Sequence, residues 1–432
     1  MSAGNTSPQL TGTEIPVTTA AHATTTYLPN PARQGVALCL SGGGFRAALF
    51  HLGAARRLNE YGLLSRIDTI SAVSGGSILA AHLVQRIVPW PTPGAVVPNW
   101  EEQVSAPFRQ FTGRNLRAWL PFLGILEQLV PLGPIRGAAE KLLAKRYVDR
   151  LTALRLPDLP NRPRFVFCAT DMVFGVNWVF DPADDPRAKG VGDYQAGYAR
   201  PVPNWFVGLA VAASSCFPPV FKPIPAALDP GRLAGGRYDA DDRDRLVARI
   251  ELSDGGVYDN LGLEPVWKDH LTVIVSDGGG IFGPAIDTGV YWRLRRYFDI
   301  ASGQDRALRR RWLISNFLTN QMQGAYWGIT SSSAHYGAST RGYSESLARD
   351  VIANIRTDLD AFSPAECAVL ENHGYLLAEA AIQAHLAAGL PASAPRPTLA
   401  VPDEQWMDEA RVRQALATSN QTSWLGRGSA DR

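Results

Sequence analysis

Three short runs combine a polar or reactive side chain with small neighbours, each where the chain leaves a strand-like segment. Ser41-Gly42-Gly43-Gly44-Phe45-Arg46 places three glycines between an apolar run, residues 35–40, and a helical pattern. Glycines there let the backbone approach a ligand, and free N–H groups at a helix start favour an anion. Such a loop can hold a phosphate, form an oxyanion hole, or be a simple tight turn. Ala72-Val73-Ser74-Gly75-Gly76 ends the β-branched run IDTISAV, residues 67–73. A serine on a sharp strand-to-helix turn with small flanking residues is a nucleophile elbow, with Ala72 in place of the usual first glycine of GxSxG. The plainer reading is a Ser-Gly-Gly helix start. Asp254-Gly255-Gly256 follows IELS. Its carboxylate can act on a neighbouring serine as a general base, or simply make an Asp-Gly turn. Asp277-Gly278-Gly279-Gly280 has the same form, and Asp259 lies nearby, so both compete with Asp254.

The segments around these runs must position them. Residues 35–88 read as strand, turn and helix twice over, which predicts an α/β fold with a mostly parallel central sheet flanked by helices. Ligands of such sheets bind at the carboxyl ends of the strands, where all three runs fall. Further strands are expected at 164–171 and 176–181, strand–turn units at 250–256 and 271–280, and a helix at 206–216. Residues 1–34, rich in Thr, Ala and Pro, read as a disordered or extended tail. About 90–163 reads as a helical cap insertion and 291–432 as a helical C-terminal extension, with a linker at 390–402 and a polar end. Trp119, Phe122, Leu123 and Leu126, near Arg109, Arg114 and Arg117, suit either a helix at a lipid interface or a cap packed on its own core.

The order of the runs carries a resemblance. The glycine loop comes first, Ser74 lies 32 residues after Gly42, and the Asp-Gly-Gly turn comes much later. With ATDMVFG (169–175), AVAASSCFPPVFKP (210–223) and DGGVYDNLGLEP (254–265), the chain resembles the patatin-like phospholipases, a family of lipid acyl hydrolases, from about Gly35 to Gly280. Ser41 stands where the family often has Asp, and Ala47 where it often has Gly. The resemblance favours Asp254 over Asp277 and Asp259. It implies a Ser–Asp dyad in place of a triad: Ser74 as nucleophile, Asp254 as base, and Gly42, Gly43 and Gly44 as the oxyanion hole. Arg46 would then steady the loop or meet a substrate phosphate. The expected function is phospholipase A-type hydrolysis. The alternatives are an esterase or acyltransferase on a soluble or neutral-lipid substrate, or a catalytically silent lipid-binding effector.

Composition narrows the remainder. Lys and Arg number 42 against 40 Asp and Glu, so the chain has no global footprint for nucleic acid. Cys39, Cys168, Cys216 and Cys367 are too far apart for a zinc knuckle or CxxC site, and Cys39 and Cys168 read as inert core thiols. SGGGFR lacks a P-loop lysine, no metal-ligand spacing is seen, and no cofactor is expected. The acidic DADDRD run (239–244) reads as an exposed turn. Of seven histidines, His270 alone follows Asp254 closely; it precedes a strand and is expected to be a surface or capping residue. His51 and His82 are expected to pack or lie at the surface. With neither a signal peptide nor a transmembrane segment legible, a cytoplasmic or peripherally membrane-associated protein is expected.

Overall fold

Apolar runs too short for helices become the inner strands of one sheet. β1 (Val36–Leu40) leads through the glycine loop into α1 (Gly44–Glu60), and β2 (Thr69–Val73) leads through Ser74 into α2 (Gly75–Arg86). The computed structural model describes residues 29–118, 138–218, 221–280, 289–337 and 341–421. After α3 (Ala106–Thr112) and α4 (Ala138–Arg150) come β3 (Arg164–Asp171), β4 (Val176–Asp181), β5 (Gly190–Asp193) and β6 (Gly197–Ala199). Next are α5 (Val207–Ser215), β7 (Ile224–Pro225), β8 (Leu233–Ala234), β9 (Glu251–Asp254) and β10 (Thr272–Asp277). The long α6 (Val290–Leu318), β11 (Gln323–Gly328) and α7 (Pro364–Ala381) follow.

The strands are ordered β11-β10-β1-β2-β3-β4-β5-β6-β8, with β9 joining β3 and β7. The expected parallel sheet is its five-strand core, β11 to β3. Beyond β3 every pairing is antiparallel, so the sheet is mixed. The inner strands are buried on both faces, as parallel strands require. Leu38 and Leu40 join Leu49, Leu52 and Ile78 on one side, while Ala37 and Cys39 join Val273, Val275 and Leu313 on the other. Helices therefore cover both faces. All four cysteines are free and buried.

The region after residue 290 is mostly helical, yet it is not appended to a finished domain. It supplies the parallel edge strand β11, in register with β10 from Thr272↔Gln323 to Asp277↔Gly328. It also supplies α7, which crosses α1 backbone to backbone. A Cβ on Gly53 would lie 1.8 Å from Glu371 O, and one on Gly374 would lie 1.8 Å from Phe50 O. Only glycine allows that approach.

The other expected boundaries shift too. Residues 30–34 are no free tail: Asn30 N–H donates to Lys268 O (2.9 Å) and Gln34 N–H to Asp269 O (3.1 Å). The described parts of 90–163 are packed into the body. Phe111 meets Phe45 edge-on with ring centroids 5.6 Å apart, and Tyr147 Oη bonds Ser215 Oγ of α5 (3.1 Å). Arg109 pairs with Glu101 and Glu371, and Arg117 with Asp358 (2.7 Å), so both serve the fold. Trp119, Phe122, Leu123 and Leu126 lie outside the described residues.

Candidate active site

Ser74 sits between β2 and α2 with φ 51° and ψ −113°. A non-glycine residue held there stores about 1–3 kcal/mol of strain, which the surroundings must enforce. Ser214 of α5 does so: its Oγ accepts the Ser74 N–H (2.8 Å) and bonds Ser77 Oγ (2.8 Å). The next two residues leave no room for side chains. A Cβ on Gly75 would meet Gly44 O at 2.2 Å, and one on Gly76 would meet Leu40 O at 2.2 Å. The elbow is thus pressed against the glycine loop.

Strand register brings Asp254 to it. On one edge of β3, β2 ends with Val73 opposite Cys168. β9 continues that same edge, with Asp254 opposite Ala169, because β4 occupies the other edge at Ala169. The end of β2 and the end of β9 therefore abut, and Ser74 follows Val73 directly. The Ser74 hydroxyl lies close enough to the Asp254 carboxylate to favour its charged form. Asp254 Oδ1 also accepts Gly256 N–H (2.7 Å), and the residue's backbone is held by Cys216 O (3.3 Å) and Thr170 Oγ1 (2.8 Å). Burial pushes its pKa from 3.8 up to about 7, against the lowering effect of the Gly256 N–H and the nearby Ser74 hydroxyl. A base poised near neutrality is well matched to proton transfer from a hydroxyl.

The loop beside Ser74 offers backbone donors. Among the described residues no acceptor meets the N–H groups of Gly43, Gly44 or Gly75. Gly44 and Gly75 begin α1 and α2, so two helix N-termini converge beside the serine and favour negative charge there. Gly43 and Gly44 have φ of 138° and 58°, conformations that disfavour any side chain. Gly42 differs from expectation: its N–H is taken by Asn260 O (3.0 Å). Its role is spacing, since a Cβ would lie 2.3 Å from Asn260 Oδ1 and 3.1 Å from Ser74 Cβ. Gly43→Ala is expected to lower kcat by about 10²-fold or more, the effect of misplacing one oxyanion donor. Steady-state kinetics well below the melting temperature check this; an unchanged kcat would leave the loop a plain turn.

Of the two expectations for Arg46, steadying the loop or meeting a phosphate, its contacts fit the first. It is 3% exposed, and its Nη atoms donate to Ala353 O (3.0 Å), Ile355 O (2.8 Å) and Gly278 O (3.3 Å). With these Nη donors turned to carbonyls, it fastens the glycine loop to two neighbouring turns rather than offering them to a phosphate. The competing aspartates are likewise engaged. Asp277 accepts Tyr326 Oη–H (2.8 Å) and Gly279 N–H (3.0 Å); despite its burial, the cation of Arg306 and these bonds hold its pKa below the usual value. Asp259 accepts the N–H groups of Leu261 (3.0 Å) and Glu264 (2.8 Å) and lies 3.7 Å from Arg309.

None of the described histidines bonds Ser74 or Asp254. His270 is buried at the opposite end of the strands, between Thr69 Oγ1 (2.9 Å) and Val266 O (3.2 Å), and is no surface residue. His51 is also buried. Its Nε2–H donates to Ser41 O (3.0 Å), so its Nδ1 accepts from Ser276 Oγ (2.7 Å), with burial pushing its pKa to about 4. It braces the start of the glycine loop as a neutral ring. Ser214, Asn260 and His51 therefore shape the site without having been singled out as site residues. Asn260 and Ser214 lie inside the quoted blocks, but only the fold shows what they touch.

A patatin-like phospholipase model matches residues 38–267, just over half of the chain, including Ser74 and Asp254. The chain belongs to the patatin-like phospholipase family. That membership supports lipid hydrolase activity. No curated protein matches the chain. Among solved structures it is similar to human GIVD cytosolic phospholipase A2 at 12% identity and TM-score 0.34, covering 58% of this chain and 46% of that one. It therefore spans less than half the length of the human protein. VipD from Legionella pneumophila is similar at 15% identity and TM-score 0.32, covering 83% of this chain and 68% of that one. Among the described residues, no cluster of three or more His, Cys, Asp or Glu side chains could hold a metal ion. No described helix is long and apolar enough to cross a membrane.

Proposed function

We propose that the protein is a lipid acyl hydrolase of phospholipase A type, working through an acyl-Ser74 intermediate with Asp254 as base. The Ser74 Oγ proton passes to the Asp254 carboxylate as Oγ attacks the ester carbonyl carbon. The resulting oxyanion is received by the N–H groups of Gly43, Gly44 and Gly75. Asp254 then gives the proton to the leaving alkoxide, and the acyl group stays on Ser74. A water, deprotonated by Asp254, attacks the acyl carbonyl; the fatty acid leaves and the proton returns to Ser74. The observation that carries this reading is the meeting of Ser74 and Asp254 where β2 and β9 abut along one edge of β3.

Incubation with mixed phospholipids, followed by mass spectrometry, tests it. Free fatty acid and lysophospholipid should accumulate with the wild-type chain and not with Ser74→Ala. Turnover of a short-chain ester with every diacyl lipid left intact would instead favour a soluble-substrate esterase. Turnover of neither would leave a lipid-binding effector.

A further inference from the structure

α6 buries Leu313 in the core, yet it also turns several large apolar side chains outward. Toward the body it presents charge: Arg306 lies 3.9 Å from Asp277, and Arg309 faces Asp259 (3.7 Å) and Glu264 (3.2 Å). Outward it presents Leu294 (63% exposed), Tyr297 (60%), Ile300 (42%), Leu308 (59%) and Leu318 (79%). Leu294, Tyr297 and Ile300 are three residues apart, so they lie along one stripe. A contiguous apolar patch left in water on a surface helix marks an interaction site.

The stripe continues to the candidate active site. Phe298, one turn from Leu294, meets Phe217 edge-on with ring centroids 5.8 Å apart. Phe217 is itself 42% exposed and follows Cys216, whose carbonyl accepts the Asp254 N–H (3.3 Å). At the other half of the helix, Trp312 packs edge-on against Trp267 (5.6 Å), with Lys268 Nζ over the Trp267 ring (5.2 Å). Tryptophan beside a basic side chain suits the headgroup level of a bilayer.

Charge identifies the occupant. Residues 290–318 contain seven arginines and two aspartates, in a chain whose charges otherwise nearly cancel. Arg293 and Arg311 are exposed next to Leu294 and Trp312. A second copy docked on this face would oppose two strongly basic helices. A surface of anionic lipid headgroups over an apolar interior complements both the charge and the stripe.

We infer that α6, with Phe217, is a docking surface for an anionic lipid bilayer that holds the Ser74–Asp254 site against the membrane. The link to the site rests on the hydrolase reading; the docking itself is tested without it. The full chain should co-sediment with vesicles of phosphatidylcholine and phosphatidylserine, and less with phosphatidylcholine alone or at high salt. The triple change Leu294→Ser, Tyr297→Ser and Ile300→Ser should weaken partitioning by about 100-fold or more, with soluble-ester turnover unchanged. Arg293→Glu with Arg311→Glu, at exposed sites, should abolish the preference for phosphatidylserine. Binding by wild type with no lipid turnover would uphold docking and overturn only the hydrolase reading. Equal sedimentation of wild type and the triple variant would overturn the docking inference. So would a solution dimer that the triple variant dissociates.

Discussion

Ser74→Ala is expected to reduce ester turnover by about five orders of magnitude, leaving the residual rate that binding and the oxyanion donors supply. No other hydroxyl replaces it: Ser77 and Ser214 bond one another and hold the elbow from behind. The change removes only Oγ. The Cβ and the positive φ remain, so the melting temperature should stay near that of the wild-type protein. Loss of activity together with loss of fold would point to a structural serine. Kinetics and a thermal melt on the same preparation separate the two outcomes.

Asp254→Asn carries the second large effect, a loss of about 10³- to 10⁴-fold in kcat, because the amide cannot take the Ser74 proton. It should also change stability in a pH-dependent way. The carboxyl group has its pKa raised from 3.8 to about 7 by burial. Between these values the native state keeps a proton that the unfolded chain has released. The stability this contributes is fully present below the unfolded value and is lost as pH rises through about 7. An asparagine avoids the burial of a charge. The variant's melting temperature should therefore gain on wild type more at pH 8 than at pH 5, while its activity stays lost at both. Wild-type kcat/KM should rise with pH through about 7, as the base becomes available. A flat profile with no stability difference would mean that Asp254 does not titrate as a buried group.

Much of this site was legible because its parts are local. Ser74 and the glycine loop each sit at a strand-to-helix turn, and alternation of short apolar runs with helices fixes where such turns point. Asp254 was separable from Asp277 by the block around it, since the two turns look alike residue by residue. The fold adds the reason: Asp277 ends β10 among Tyr326 and arginines, whereas Asp254 ends β9 buried, with no cation among the described residues acting on its carboxylate. What was hidden depends on distant partners. That Gly42 gives its N–H to Asn260, and that Arg46 binds Ala353 and Ile355, are contacts across more than 200 residues of chain. β11 was missed because QGAYWG carries two glycines, and strand patterns seldom include them. Gly324 is there for proximity, as a Cβ would lie 1.9 Å from Val273 O. With β11 unseen, the region after α6 looked like an addition to the fold when it closes one edge of the sheet.

Active-site labelling with a fluorophosphonate, followed by peptide mass spectrometry, tests the dyad most directly. The reagent phosphonylates a serine only where an adjacent base and oxyanion donors activate it. The account predicts a single adduct on Ser74, absent in Ser74→Ala, strongly slowed in Asp254→Asn and retained in Asp277→Asn. An adduct on another residue, or labelling of Ser74 that survives Asp254→Asn and disappears in folded Asp277→Asn, would contradict it.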